Sequence, residues 1–117
     1  MPASPDDVRA TALALPETTE RPAWGMACLR VRDRIFASMP PDETWVAVRL
    51  AEGENRALAA ERPDVFSVPQ HYRNSTMVVV ALAEVDRAEL DELLTEAWRL
   101  RAPARLRAAF DAAQLRR

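Results

Sequence analysis

Four arginines and one tryptophan are the residues of this sequence best suited to binding an anion. Arg30, Arg32 and Arg34 recur at every second position, and Arg49 follows Trp45 by four residues. A guanidinium presents a planar fork of N–H donors that fits phosphate oxygens, and an indole ring stacks on nucleic-acid bases. Strand alternation places Arg30, Arg32 and Arg49 on one face of a sheet. Trp45 shares that face and Arg34 lies just past the first turn, a pattern typical of a surface that tracks a phosphate backbone.

The alternative is a solvated sheet face on which these arginines pair with Asp33, Asp42 or Glu43. The chain has 16 basic residues, all of them Arg, against 18 acidic ones, so its formal net charge is −2. This charge excludes a protein held on DNA mainly by its overall field. Ion pairing is the favoured interpretation, because an acidic chain must place its arginines somewhere. Any nucleic-acid role therefore depends on a local patch.

A second group of polar side chains is the run His71, Tyr72 and Arg73. An imidazole, a phenol and a guanidinium together offer the donors and acceptors that recognise an anion or a base edge. The alternative is an ordinary loop in which His71 and Tyr72 cap the edge of the sheet. That alternative is favoured, because no Ser or Cys nucleophile can be placed beside His71 from the sequence.

The sequence contains little that indicates catalysis or metal binding. Cys28 and His71 are the single cysteine and the single histidine, and 43 positions separate them, which is not the spacing of a metal-ligand cluster. A lone cysteine also rules out an internal disulfide, and its apolar neighbours predict that Cys28 is buried. We therefore expect no catalytic residue, no metal site and no cofactor, and a protein that is not an enzyme.

The elements that position the arginines are three short strands, predicted at residues 26–31, 35–39 and 45–50. Short connections between them favour an antiparallel meander with one face packed and the other partly in water. Residues 17–22 precede the first strand and are predicted to be a polar loop. Trp24 is predicted to cover the edge of the core.

Helices and two further extended segments complete the prediction. Ser4 and Asp86 have the side chains of helix N-caps, and short helices are predicted at residues 52–61 and 104–115. The helix after Asp86 carries an apolar stripe that we expect to pack on an apolar strand at residues 77–82. The stripe consists of Leu90, Leu93, Leu94, Ala97 and Trp98. Residues 65–68, between two prolines, are a short edge strand or an extended loop.

The length of 117 residues suits one domain, residues 1–117, with an ordinary hydrophobic core. The N-terminus lacks the basic and apolar regions of a signal peptide, and no apolar run approaches the length of a membrane span. We expect a cytoplasmic protein that does not bind membranes.

Residues 13–39, LALPETTERPAWGMACLRVRDRIFASM, show a helix end, a Pro-marked break, a Trp-Gly step and two strands joined by a charged turn. With AVRLAEGENRALAAE at residues 47–61, FSVPQH at 66–71 and VDRAELDELLTEAWRL at 85–100, this order resembles the MmcQ/YjbR-like family of small bacterial proteins. The resemblance implies an α+β domain with a CyaY-like arrangement, and it implies DNA binding. It supplies no catalytic residues.

Together these observations predict an α+β protein with a four- to five-stranded antiparallel sheet packed against helices. The leading function is a non-enzymatic DNA-binding domain that binds DNA weakly and non-specifically through the Arg-bearing strand hairpin. The alternative is a small protein-interaction or ligand-binding module, with a protein partner that the sequence does not identify. An enzyme is the third possibility.

Overall fold

The computed structural model describes residues 2–116 and shows four helices and six strands. The helices are α1 (Pro5–Leu13), α2 (Glu54–Glu61), α3 (Arg87–Arg101) and α4 (Ala104–Leu115). The strands are β1 (Thr18–Ala23), β2 (Met26–Val31), β3 (Arg34–Met39), β4 (Trp45–Arg49), β5 (Phe66–Ser67) and β6 (Met77–Ala81). A single 3-10 turn, Gln70–Tyr72, precedes β6.

The strands form one antiparallel sheet in the order β1-β2-β3-β4-β6-β5. The predicted α+β class and the predicted packing of an antiparallel sheet against helices are confirmed. The sheet has six strands, whereas four or five were expected. The additional strand is β1, because most of residues 17–22, predicted as a polar loop, belong to it. That strand lies at the sheet edge with four of its six residues exposed, so it carries no apolar alternation. Its Pro22 is tolerated because an edge strand leaves part of its backbone unpaired.

One face of the sheet carries the hydrophobic core. Helices α1 and α3 pack against each other, and α3 lies across β3 and β4. The core contains Leu90, Leu94 and Trp98 of α3 at 0% exposure. We expected the stripe to pack on the strand at residues 77–82, and Val78, Val80 and Leu82 belong to the same core cluster as the buried residues of α3. The helix itself lies closest to β3 and β4, because these are the two central strands of the sheet.

Trp98 joins the sheet layer to the two ends of the chain. Its indole Nε1 donates a hydrogen bond to the carbonyl oxygen of Pro16, 3.0 Å away, just after α1. The ring of Phe110 in α4 packs on the indole with ring centroids 4.9 Å apart. An ion pair joins Arg87 at the start of α3 to Asp7 of α1, with 2.6 Å between the nitrogen and the oxygen. None of the helices described in residues 2–116 has the length and apolar character needed to cross a bilayer.

Candidate functional site

The sheet face opposite the core cluster carries the side chains that alternate with the core residues, and we call it the open face. Val46 and Val48 of β4 belong to the core, so alternation places Trp45, Ala47 and Arg49 on the open face. Arg30 lies on the same face, because its neighbours Leu29 and Val31 point into the core. The structure therefore places Arg30, Arg49 and Trp45 on one face, with Trp45 and Arg49 at opposite ends of β4.

Small side chains form the centre of the open face. Cys28 pairs with Ser38, and Ser38 pairs with Ala47 on the next strand. All three are buried, yet none of them belongs to the main core cluster. The larger side chains Arg30, Arg49 and Trp45 lie next to them along β2 and β4 and are each partly buried. The predicted burial of Cys28 is confirmed, at 2% exposure.

Four arginines lie at one end of the sheet, and we call them the arginine cluster: Arg30, Arg34, Arg49 and Arg101. Arg30 pairs with Ile35 across β2 and β3, and Arg34 precedes Ile35 at the start of β3. Arg101, at the end of α3, donates its Nε–H to the carbonyl oxygen of Ile35 at 3.3 Å. Arg101 was not anticipated from the sequence, since only the tertiary fold brings the end of α3 to this strand.

The arginine cluster has no carboxylate partner among the described residues. Burial lowers the pKa of Arg49, and the positive charge of Arg101 lowers it further. The Nε atoms of Arg30 and Arg49 are buried and have no hydrogen-bond partner in residues 2–116. An unsatisfied buried donor costs about 1–3 kcal/mol, and more when it is charged. The cluster thus places like charges at one end of the sheet without a carboxylate partner among residues 2–116.

The carboxylates expected to neutralise this face pair elsewhere. Asp33 forms an ion pair with Arg21 of β1. The Glu43 carboxylate lies 2.6 Å from Arg9 of α1. Asp42 accepts hydrogen bonds from the backbone and hydroxyl of Thr44 within its own turn. Among residues 2–116, the structure therefore does not show the expected ion pairs of Arg30, Arg34 and Arg49.

Arg32 is separated from the arginine cluster. It lies in the β2–β3 turn with φ +46°, outside the alternation of β2, so the predicted placement of Arg32 beside Arg30 is wrong. Its Nε donates to the Glu17 carboxylate at 2.6 Å, which raises the pKa of Arg32 and lowers that of Glu17. The left-handed backbone of the turn explains the change of direction, because alternation holds only for extended residues.

The predicted ligand group His71, Tyr72 and Arg73 does not converge on one site. His71 and Tyr72 make an edge-to-face ring contact at 4.8 Å within the 3-10 turn. Arg73 instead lines a cleft of about 340 Å³ that also contains Arg56 and Thr76, and neither aromatic ring lines it. The carbonyl oxygen of Arg73 accepts a hydrogen bond from Arg56, so this contact uses its backbone.

Asn55, which the sequence did not single out, is the buried polar residue beneath this cleft. Its side-chain Nδ2 donates to the carbonyl oxygens of Ser75 and Met77 at 3.0 and 3.1 Å. These bonds tie the start of α2 to the start of β6. No motif signalled this role, because the acceptors lie 20 and 22 residues away.

Trp24 lies where the sequence did not place it. It occupies the two-residue loop between β1 and β2 and is 91% exposed, so the prediction that it covers the core edge is wrong. Ala23 and Met26 pair directly across this loop, which makes Trp24 and Gly25 the tip of a hairpin. No group of three or more His, Cys, Asp or Glu side chains within residues 2–116 is arranged to hold a metal ion.

Proteins with related sequences and folds have been found. The uncharacterized protein Rv2570 of Mycobacterium tuberculosis is 42% identical over 74 residues, which cover 62% of this chain and 57% of that protein. The uncharacterized protein Mb2600 of Mycobacterium bovis matches equally well. The match thus spans little more than half the length of these mycobacterial proteins.

The crystal structure of Deinococcus radiodurans protein DR2400, a DUF419 domain, superimposes with a TM-score of 0.72 at 20% identity. The superposition covers 84% of this chain and 78% of that protein, and it shows a shared fold. The model of the YjbR family matches residues 13–100, from the end of α1 through nearly all of α3. Since this match includes the whole sheet and the helix across it, the chain belongs to the YjbR family.

Proposed function

We propose that this protein is a non-enzymatic nucleic-acid-binding domain that holds the phosphate backbone with its arginine cluster. The observation that carries the proposal is that the arginine cluster contains buried donors without an acceptor, since the Nε atoms of Arg30 and Arg49 have no hydrogen-bond partner among residues 2–116. Six arginines outside the cluster form carboxylate ion pairs, namely Arg9, Arg21, Arg32, Arg62, Arg87 and Arg99. The four clustered ones have no such partner in the described part of the chain.

An external anion would neutralise the positive charge of the arginine cluster. Phosphate oxygens accept two parallel N–H bonds from one guanidinium, and such charge-assisted bonds are among the strongest in proteins. The buried Nε donors of Arg30 and Arg49 gain an acceptor if the guanidinium planes turn toward a bound phosphate. Trp45 on the same face adds a ring on which a base can stack. Membership in the YjbR family, through the resemblance described above, points to the same class of ligand.

The test is a titration of duplex and single-stranded DNA over a salt series. With three or four phosphate contacts, log K for duplex should fall with log salt at a slope of about −3, near 0.9 per contact. The affinity should be weak, with a Kd of about 10⁻⁴–10⁻⁶ M at physiological salt, because no base-specific readout is invoked.

A double variant isolates the arginine cluster. Arg30→Met with Arg49→Met removes two phosphate contacts and should flatten the slope by about two units. Met places an apolar methyl group where the unsatisfied Nε lies, so the free energy of unfolding should stay within about 1 kcal/mol or rise. The matched control, Arg32→Met with Arg62→Met, removes the same charge from two ion-paired sites and should keep the parent slope.

Two results contradict the proposal. One is the absence of DNA and RNA binding by the parent even at low salt. The other is a folded double variant, Arg30→Met with Arg49→Met, that binds DNA with the affinity and the salt slope of the parent. In either case the open face serves another ligand, and a protein-interaction module with an acidic partner becomes the better account of the uncompensated arginines.

A further inference from the structure

Trp24 combines high exposure with an unfavourable backbone conformation. Its side chain is 91% exposed and its φ is +51°, followed by φ +75° at Gly25. Two-residue hairpin loops with positive φ at both positions favour Asn, Asp or Gly at the first. A bulky aromatic residue is a genuine outlier there.

No ring contact or cation–π contact found within residues 2–116 involves Trp24. A Cβ added at Gly25 would meet no atom within 4 Å, so the hairpin tip is open on that side. A tryptophan that is strained, exposed and without an aromatic or cation–π partner among residues 2–116 indicates a contact with another molecule.

The position of the hairpin relates Trp24 to the proposed phosphate site. Strand β2 runs from the hairpin tip to Arg30, six residues beyond Trp24, which is about 20 Å of extended backbone. Trp45 begins β4 at the same end of the sheet as the hairpin tip, because Ala27 of β2 pairs with Met39 at the end of β3 and β4 runs antiparallel to β3. The two tryptophans therefore lie toward one end of the sheet, and the arginine cluster lies at the other.

We infer that Trp24 is a stacking platform for an unpaired base, and that the preferred ligand is a single strand of nucleic acid lying along β2 between Trp24 and the arginine cluster. The inference rests on the proposed function. A single strand exposes the faces of its bases, whereas in a duplex these faces are covered by neighbouring base pairs. Charge complementarity selects a polyanion, and the exposed indole selects one with free aromatic faces.

The test compares a 12-nucleotide oligothymidine with a 12-base-pair duplex as probes. Trp24→Asn replaces the indole with a residue suited to positive φ, so thermal stability should not fall. Its affinity for oligothymidine should drop about 5- to 100-fold, the range that one base–aromatic stack supplies. Its affinity for the duplex should change by less than about twofold, and its salt slope should stay that of the parent, because no phosphate contact is removed.

Two further variants serve as controls. Trp24→Tyr retains an aromatic face and should keep most of the affinity for oligothymidine. Leu115→Asn removes an apolar side chain that is 87% exposed at the end of α4. The Leu115→Asn variant should bind both probes as the parent does.

Tryptophan fluorescence gives a second measurement of the same contact. Binding of oligothymidine should quench the fluorescence of the parent more than that of Trp24→Asn.

The outcomes separate the two proposals. If the parent binds neither probe, the proposed function fails and this inference fails with it. If binding depends on Arg30 and Arg49 but Trp24→Asn binds oligothymidine like the parent, only the inference is overturned. It is also overturned if sedimentation shows a parent dimer that Trp24→Asn dissociates while its DNA affinity is unchanged, because Trp24 would then contact a second copy of this chain.

Discussion

Arg30 and Arg32 lie two positions apart and have opposite surroundings. Arg30 is half-buried in a strand, and its Nε has no acceptor among residues 2–116, whereas Arg32 is exposed in a turn with a carboxylate 2.6 Å away. The charge is the same in both cases. We propose different functions for the two residues because the extended strand leaves the Arg30 guanidinium without a carboxylate among the described residues, whereas the turn brings the Arg32 guanidinium to Glu17.

Cys28 provides a prediction at this scale. Its side chain lies at the centre of the open face at 2% exposure, with Sγ 3.7 Å from the carbonyl oxygen of Met26. A thiol reagent reaches such a group only when the strand opens locally. In the native protein at neutral pH, labelling by a chromogenic disulfide reagent should be slow, and in denaturing urea it should be complete within the mixing time. Rapid labelling of the native protein would show that the centre of this face is open to solvent.

The elements differ in how much their positions depend on burial. Strand β1 has mostly exposed side chains and is held by its pairing with β2 and by ion pairs such as Arg9 with Glu20 at 2.9 Å. Helix α3 presents a fully buried stripe to the central strands. The hairpin that carries Trp24 is therefore attached by backbone hydrogen bonds, whereas α3 is attached by apolar contacts.

Leu94→Ala tests the packing of α3. The side chain is 0% exposed in the core, and truncating a buried leucine typically costs about 2–5 kcal/mol through lost burial and the cavity left behind. Urea unfolding should show a loss in that range. Glu92→Ala, at an exposed position of the same helix, should change the free energy of unfolding by less than about 0.5 kcal/mol. Equal effects of the two substitutions would mean that α3 is not anchored by this stripe.

The molecule as a whole is built on a single core cluster to which α1, α3 and the sheet all contribute. Its radius of gyration is 13.6 Å, and about 13 Å is typical of a compact domain of this length. Its net charge is −2, yet arginines are locally in excess at one end of the sheet. A polyanion would therefore be attracted only when it approaches that end of the molecule.

One shared core predicts one cooperative unfolding transition. Far-ultraviolet circular dichroism should follow the helices and strands, and fluorescence should report the burial of Trp98. The two midpoints should coincide in urea, as they do for small two-state domains. Trp24→Asn is the useful background for this measurement, because it removes the emission of the exposed indole. Separate midpoints would show that α4 or the β1–β2 hairpin unfolds independently.

The sequence by itself determined the elements with strong apolar periodicity. The strands at residues 26–31, 35–39 and 45–50 and the helix after Asp86 were located within one or two residues, because each must turn apolar side chains to one side. The fold class and the resemblance to the YjbR family followed from the order of these elements. The alternation of β2 and β4 was also enough to place Arg30, Arg49 and Trp45 on one face.

Only the tertiary structure decided the rest. Strand β1 was missed because an exposed edge strand is held by backbone pairing, which leaves no apolar pattern. Arg32 and Trp24 were misplaced because both lie in turns with positive φ, where alternation does not apply. Arg101 joined the arginine cluster only because α3 crosses the central strands and ends beside Ile35. Which arginines are neutralised was likewise settled in three dimensions, since most of their carboxylate partners are 11 or more residues distant in the chain.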